Sequence, residues 1–486
     1  LALCGIMWWR QLLSGVDRET RLIWLFLCIA TVLRLGLAAS LPLTPDEAYY
    51  WVWSRHLQLS YLDHPPMVAI WIRIGTTLLG QNALGVRWLG PVSTLVGSVA
   101  LHQAARDFWP RQTGSWRAVA LLNATLMLGI GAATMTPDTP TVFFLTIALW
   151  ALGRLIRTGL DRWWLVIGGI FGLAFDSKYT AALPAMACAL WWVSDRSRWR
   201  QAFSVLTAGI LALVLMSPVM IWNATHDWAS FLKQGGRTGD WHPARALQFL
   251  GELLGGQIGL ATPLIFILFV IGTWRVARLA VRNQEERLLG FMILIPCAVF
   301  VQHAFGGRVQ ANWPVVIYPA LALAAASTRY RIGAACGLGV GLTLLVYLQA
   351  AFSIVPLSAH HDVIARQARG WEQLGKDLAH TLPTTNYIAV NDYAVASELA
   401  FYGKPLAIYG ADRRWGYFAL SQRNAGEGVL LVREKERPDV PSDWQLGESK
   451  GLVCRYNRQA IMACYRLWAL KVPEDAAWRP VKLPSP

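Results

Sequence analysis

The sequence predicts an α-helical polytopic membrane protein with a small α/β domain after its last span. Three observations predict it. The chain has 486 residues, of which 55% are hydrophobic and only 15% charged, with a mean hydropathy of +0.37. That balance excludes a disordered chain and an ordinary soluble enzyme. Apolar runs close to the ~20 residues that a membrane-crossing helix needs recur as far as residue 355. Arginines then mark every second exit from these runs, as a multi-span chain requires.

We place the spans at 21–41, 83–104, 117–135, 140–157, 163–176, 180–194, 202–222, 257–274, 288–305, 314–328 and 332–355, about eleven in all. The fifth and sixth are short. No cleavable signal peptide is expected, because the first run lacks a small-residue cleavage site and many spans follow it. Arg10, Arg18 and Arg21 precede the first span, Arg106, Arg111 and Arg117 follow the second, and Arg154, Arg157 and Arg162 follow the fourth. Further clusters begin at Arg196, Arg275 and Arg329. The positive-inside rule puts the N-terminus in the cytoplasm and the tail outside, at a bacterial inner membrane. The net charge of +15 then reflects this asymmetry and contact with anionic lipid, not nucleic acid.

Many of the 25 tryptophans, Trp8, Trp9 and Trp313 among them, sit near span ends as an interfacial belt. Trp51 and Trp53 lie instead in an acid-rich loop, where they could also cover a lipid or sugar. Cys4, Cys28, Cys188, Cys297 and Cys336 are packing residues in or near spans. Cys454 and Cys464, in LVCRY and MACYRL, are a candidate disulfide, which an outside compartment permits but spacing alone leaves open. Residues 1–355 form the membrane domain and 356–486 the outer α/β domain, with strands at TTNYIAVN, PLAIYG and GVLLVRE and a helix at YAVASELAFY.

Candidate chemistry gathers on the outer face. In TPDEAYYWVWSRHL, Thr44, Pro45 and Glu47 have the pattern of a capping box opening an amphipathic interfacial helix. Asp46 has no capping duty, so it is the first candidate catalytic base, with Glu47 and Asp138 as the other catalytic carboxylates and Tyr50 as a substrate contact. Asp63, in YLDHPP, can cap the next helix, bind a cation, or hold His64 toward an anionic headgroup. A cation site would need further ligands, for which His226, His242 and His303 are available. No cofactor is required. Asp138 in MTPDTP can cap a span or join Asp46 and Asp63, which topology puts on the same face. Lys178, in the short loop FDSKYT, and Arg308, in GGRVQANWP, are candidate phosphate ligands. Acids for a hydroxyl proton and bases for a phosphate suit glycosyl transfer from a lipid phosphate, whose leaving group departs without protonation.

DEAYYWVWSRHLQLSYLDHPPM, GVRWLGPVSTL, MTPDTPTVFF, FDSKYT, RVQANWPVVIYPAL and NDYAVASELAFYGKP resemble, in order, the ArnT/protein O-mannosyltransferase-like branch of the GT-C glycosyltransferases. The resemblance implies a GT-C fold with interfacial helices in the first outer loop. It also implies a polyprenyl-phosphate sugar donor and an envelope acceptor: lipopolysaccharide, lipid A, another glycan or a protein. Asp46 matches the first-loop acid that is the family's candidate base, Asp63 an acid beside the substrate pocket, and Asp138 the second-loop aspartate. Lys178 and Arg308 match basic positions near the lipid phosphate. Where the aminoarabinose transferases read Glu-Lys-Pro, this chain has Asp63-His64-Pro65, closer to the galacturonosyltransferase-like (Rgt-type) members. The rival reading is a transporter or flippase for a lipid-linked sugar. It would place ionisable groups near the midplane in two related halves, whereas here the notable charges cluster at one membrane edge, with Arg34 in the first span as the main exception.

Overall fold

The computed structural model describes residues 18–111, 114–235, 243–328, 330–358, 361–383, 385–422 and 426–486. Cys4, Trp8, Trp9, Arg10, His242 and Arg329 lie outside the described residues. The chain divides into two compact units, Leu1–Gly36 with Leu89–Asn223 and Ser230–Leu345, and Leu37–Trp88 with Ala224–Ala229 and Val346–Pro486.

The first unit is helical. Helix α1 (Arg18–Ser40) begins in it and ends in the second unit. The second unit contributes α2 (Pro45–Arg55), α3 (Met67–Leu79) and α4 (Ala83–Arg87). The first unit resumes with α5 (Leu89–Phe108), α6 (Trp116–Asn123), α7 (Leu126–Gly131), α8 (Asp138–Thr158), α9 (Trp163–Phe175) and α10 (Ala182–Val193). It continues through α11 (Ala202–Thr225), α12 (Ala229–Gly235), α13 (Pro243–Ala261), α14 (Pro263–Leu279), α15 (Gln284–Ala304), α16 (Tyr318–Ala326) and α17 (Gly333–Phe352), with the ends of α11 and α17 and the first residue of α12 belonging to the second unit.

Six described helices are long and apolar enough to cross a membrane, or seven if α13 and α14, bent by 107°, form one broken span. The bend has a local cause. Pro263 bars its predecessor from the helical region, and Thr262 takes φ 71°. The expected span 117–135 is likewise divided. Thr125 is extended and accepts from the Leu128 N–H at 3.2 Å, starting α7 afresh.

Small residues let these helices touch. A Cβ on Gly272 of α14 would sit 2.5 Å from the Ala325 nitrogen of α16, the close backbone approach typical of helices packing in lipid. Arg34, well inside the first expected span, is 3% exposed and donates to Asn123 Oδ1 at 3.1 Å, and Asn123 donates to Ser98 Oγ at 2.9 Å. It therefore faces the interior of its unit.

The second unit joins the first loop to the tail. Its remaining helices are α18 (Val363–Ala368), α19 (Trp371–Thr381) and α20 (Tyr393–Tyr402). Its strands are β1 (Ile388–Val390), β2 (Ile408–Gly410), β3 (Gly426–Arg433), β4 (Gln445–Asn457), β5 (Ala460–Val472) and β6 (Val481–Lys482). They form one sheet in the order β4-β5-β3-β1-β2-β6. The β3-β1-β2 core is parallel and the flanking pairs are antiparallel. Tyr387, Leu430, Trp444 and Leu470 pack against it. Cys454 and Cys464 face each other in the β4–β5 register and are disulfide-bonded.

Two expectations change here. Helix α2 does not present the solvent face of an amphipathic helix: Glu47 through Ser54 are all buried, between α3 and α20. Its aromatic side chains go all the way round, leaving no polar face to solvate. Trp51 and Trp53 are therefore not covers for a lipid or sugar. Both are 0% exposed, Trp51 donating to Gln81 Oε1 at 2.8 Å and Trp53 stacking on Tyr61 at 4.2 Å.

The glycine contact yields a test. Gly272→Leu should destabilise the purified chain by about 1–3 kcal/mol through overpacking. Gly209→Leu, at a position with nothing within 4 Å, should leave the detergent unfolding midpoint unchanged.

Candidate active site

The capping box predicted from Thr44 and Glu47 is formed. Thr44 Oγ1 accepts from the Glu47 N–H at 3.5 Å, and the Thr44 N–H donates back to Glu47 Oε2 at 2.9 Å. Glu47 does more. It is fully buried and takes a two-pronged contact from Arg87, whose Nε reaches Oε1 and whose Nη2 reaches Oε2, both at 2.6 Å. Arg87 spends its other N–H groups on the carbonyls of Leu41 at 2.7 Å and Pro42 at 2.8 Å. Fork-to-carboxylate pairing of this kind is strong and directional. It ties the end of α1 to the start of α2.

Asp63 is held as firmly. Tyr49 Oη donates to its Oδ2 at 2.9 Å, and Arg414 Nη1 lies 3.7 Å from the same oxygen. Arg414 also sits over the Tyr393 ring at 3.8 Å. Asp63 does not cap α3, whose N-cap is Pro66 with no side-chain hydrogen bond. Tyr50 packs edge-on to Trp53 at 4.9 Å and to His64 at 6.2 Å.

Asp46 differs from both. It makes no hydrogen bond or ion pair among the described residues, and its side chain is exposed. It is nevertheless ringed by protein. Partial desolvation raises its pKa, the Glu47 and Asp63 carboxylates add to the rise, and Arg414 opposes it.

In the first unit, Asp138 is the opening residue of α8 and also leaves capping unused. Lys178 Nζ bonds its Oδ1 and Asn312 Nδ2 bonds its Oδ2, both at 2.6 Å. Asp138 and Lys178 are 6% and 5% exposed. Beside Asp138 a cavity of about 30 Å³ runs between α5 and α8, with Ser93, Ser98 and Thr146 in its wall. Arg308 is not part of this cluster. Its side chain is 72% exposed and pairs with Glu252 at 2.7 Å. His303 is buried against Trp313, and His226 lies near Tyr417. Among the described residues no three His, Cys, Asp or Glu stand as a metal-binding group.

Several residues of these clusters escape a reading of the sequence. Arg87 is a charge at the head of an apolar run and Asn312 a polar residue in RVQANWP, but neither has a spacing that names its partner. Arg414 and Tyr393 are ordinary in their segments. Glu398 gives a better signal, being the one acid in YAVASELAFY. It is 0% exposed and both its carboxyl oxygens lack a hydrogen-bond partner. Burial drives its pKa well up, with Glu47 adding and Arg455 and Arg87 opposing.

The family described as dolichyl-phosphate-mannose-protein mannosyltransferase matches residues 63–222. The lipid A galacturonosyltransferase RgtD of Rhizobium johnstonii is 26% identical over 433 residues, 82% of this chain and 89% of that one. An undecaprenyl phosphate-alpha-4-amino-4-deoxy-L-arabinose arabinosyl transferase of Pseudomonas aeruginosa is 27% identical over 213 residues, only 39% of either chain. ArnT from Cupriavidus metallidurans, solved bound to undecaprenyl phosphate, superposes with a TM-score of 0.63 at 16% identity, over 93% of this chain and 98% of that one. The expected resemblance to ArnT- and protein-mannosyltransferase-like glycosyltransferases thus holds in sequence, and the fold is ArnT-like. None of these relatives is a transporter by name.

Glu398 carries a pH test. A free glutamate titrates near 4.3. Because the folded value is higher, the folded chain binds the extra proton, and stability falls as pH rises from there through the folded pKa. Thermal unfolding of Glu398→Gln should therefore gain on the wild type as pH rises; a constant difference between the two from pH 4 to 9 would refute this.

Proposed function

We propose that this chain, a relative of the ArnT- and protein-mannosyltransferase-like glycosyltransferases, moves a sugar from a polyprenyl-phosphate donor to a lipid A or lipopolysaccharide acceptor. The observation that supports it best is the pairing of the carboxylates. Glu47, Asp63 and Asp138 have their oxygens engaged by cations, hydroxyl or amide. Asp46 alone of the four has neither oxygen engaged among the described residues, and its pKa is raised by burial, which suits a general base.

In this reading the acceptor hydroxyl attacks the anomeric carbon and gives its proton to Asp46. The bond from that carbon to the phosphate oxygen breaks, and the phosphate leaves with the electron pair. Lys178 serves the phosphate. An ammonium has three donors, and the Asp138 contact uses one. Asp138 and Asn312 then act as positioning residues for it. Tyr50 and His64 contact the substrate near Asp46, and Arg308, on the surface, meets a lipid phosphate. Glu47 is the anchor that keeps Asp46 in place. The full count of about eleven spans, a cytoplasmic N-terminus and a periplasmic tail follow from the alternation of basic exits.

Mass spectrometry of lipid A from cells with and without the protein tests the function: the wild type should add one sugar, a hexuronic acid or an aminopentose. Asp46→Asn should lower transfer by about 10²–10⁴-fold, and undiminished product would remove Asp46 as base. Wild-type rate should fall on acidification through a pKa above the usual carboxylate value. Lys178→Ala should raise the KM for the donor lipid and not that for the acceptor; an unchanged donor KM would take Lys178 out of the phosphate site.

A further inference from the structure

The second unit holds a crevice that none of this chemistry uses. It has a volume of about 790 Å³ and is lined by the turns that follow β1, β2 and β3. These are the carboxyl ends of three adjacent parallel strands. From β1 the chain turns toward β2 through α20, while from β3 it leaves on the other side toward β4. Loops that part in this way open a ready crevice at a switch point, the usual ligand position in open α/β sheets. Its size lies within the range of small-molecule sites.

The lining tells what would fit. Two of its acids are already spent. Asp392 caps α20 and pairs with Arg433 at 2.9 Å, and Asp412 holds the backbone and side chain of Arg414. Asn391 donates to the Asp439 carbonyl and so links the β1 turn to the β3 turn. Four charged side chains remain: Arg413, Glu436, Arg437 and Asp439. None of them forms a side-chain hydrogen bond or ion pair among the described residues.

Two free acids and two free guanidinium groups balance in charge, which favours neither an anion nor a cation. Together they offer acceptors and donors side by side. Vicinal sugar hydroxyls, each both donor and acceptor, need that mixture. Val440 and Pro441 in the same wall give a short apolar strip for the C–H face of a ring.

We propose that this crevice binds a neutral oligosaccharide, the glycan part of the acceptor. The identification of the glycan's source rests on the transferase reading above; the binding itself does not. Two measurements keep them apart. In the first, the full chain in nanodiscs is titrated with a neutral fragment of lipopolysaccharide core oligosaccharide, freed of acyl chains, phosphates and acidic sugars, with maltotriose, and with inorganic phosphate. Saturable binding of an oligosaccharide and none of phosphate is expected, weakened at least tenfold in Glu436→Gln/Asp439→Asn. Absence of saturable oligosaccharide binding, or equal binding by the variant, would overturn the site. In the second, the variant should show at least a fivefold higher KM for core-bearing lipid A with turnover on bare lipid A unchanged. An unchanged KM ratio would overturn the link to the acceptor. Wild-type chain that transfers to neither acceptor would overturn the transferase reading, and the titration would still decide the crevice.

Discussion

A buried arginine meeting a buried carboxylate is the constraint on which the second unit depends. Arg87 and Glu47 are both nearly inaccessible, so each needs the other: removing one partner of such a pair leaves an unpaired buried charge, at a cost of about 3–5 kcal/mol. The guanidinium satisfies two carboxylate oxygens and two backbone carbonyls at once. Four groups on three segments are thereby brought to a single point. The capping box would start α2 by itself, but Arg87 decides where that start is held.

The carboxylates of the first loop have separate tasks as a result. Glu47 is structural, and Asp63 is held by a phenol and a guanidinium. Asp46 is adjacent to the anchored Glu47 and is left open. A residue flanked by two anchors can stay unpaired without becoming mobile, which is what a base acting on a bound hydroxyl requires. The surrounding aromatic packing supports this. Tyr49 meets Trp53, Tyr393 and Trp415 edge-on, so the helix that carries Asp46 is locked by rings from both the first loop and the tail. Leu43 adds a hydrogen bond from its N–H to Tyr402 Oη at 2.7 Å.

The first unit uses the opposite device. Asp138 has a partner on each oxygen, and it holds a lysine by a single contact. A compact ammonium with remaining donors can turn to a phosphate, where a guanidinium locked in a fork could not. The likeness to ArnT at 16% identity carries the fold alone.

Much of the molecule was legible in the residues. Apolar run lengths gave helices where they were expected, and Thr44, Pro45 and Glu47 marked a helix start from a four-residue pattern. Several of the tail's strands and one of its helices, α20, were visible in their periodicity, whereas α18 and α19 were not. These are local signals, set by the spacing of side chains along one element. The breaks were harder: Thr262 and Thr125 divide segments whose hydropathy is continuous. An amphipathic helix was the wrong picture for α2 because hydropathy cannot say which faces of an aromatic helix find partners. Pairing was beyond reach altogether. Glu47 meets an arginine 40 positions away, Asp138 meets Lys178 at 40 and Asn312 at 174, and Leu43 meets a tyrosine at 359. The sequence by itself determined the class of fold and the short roster of acids and bases. Only the tertiary structure decided which acid stays free, because an ion pair depends on distance through space, and distance along the chain does not encode it.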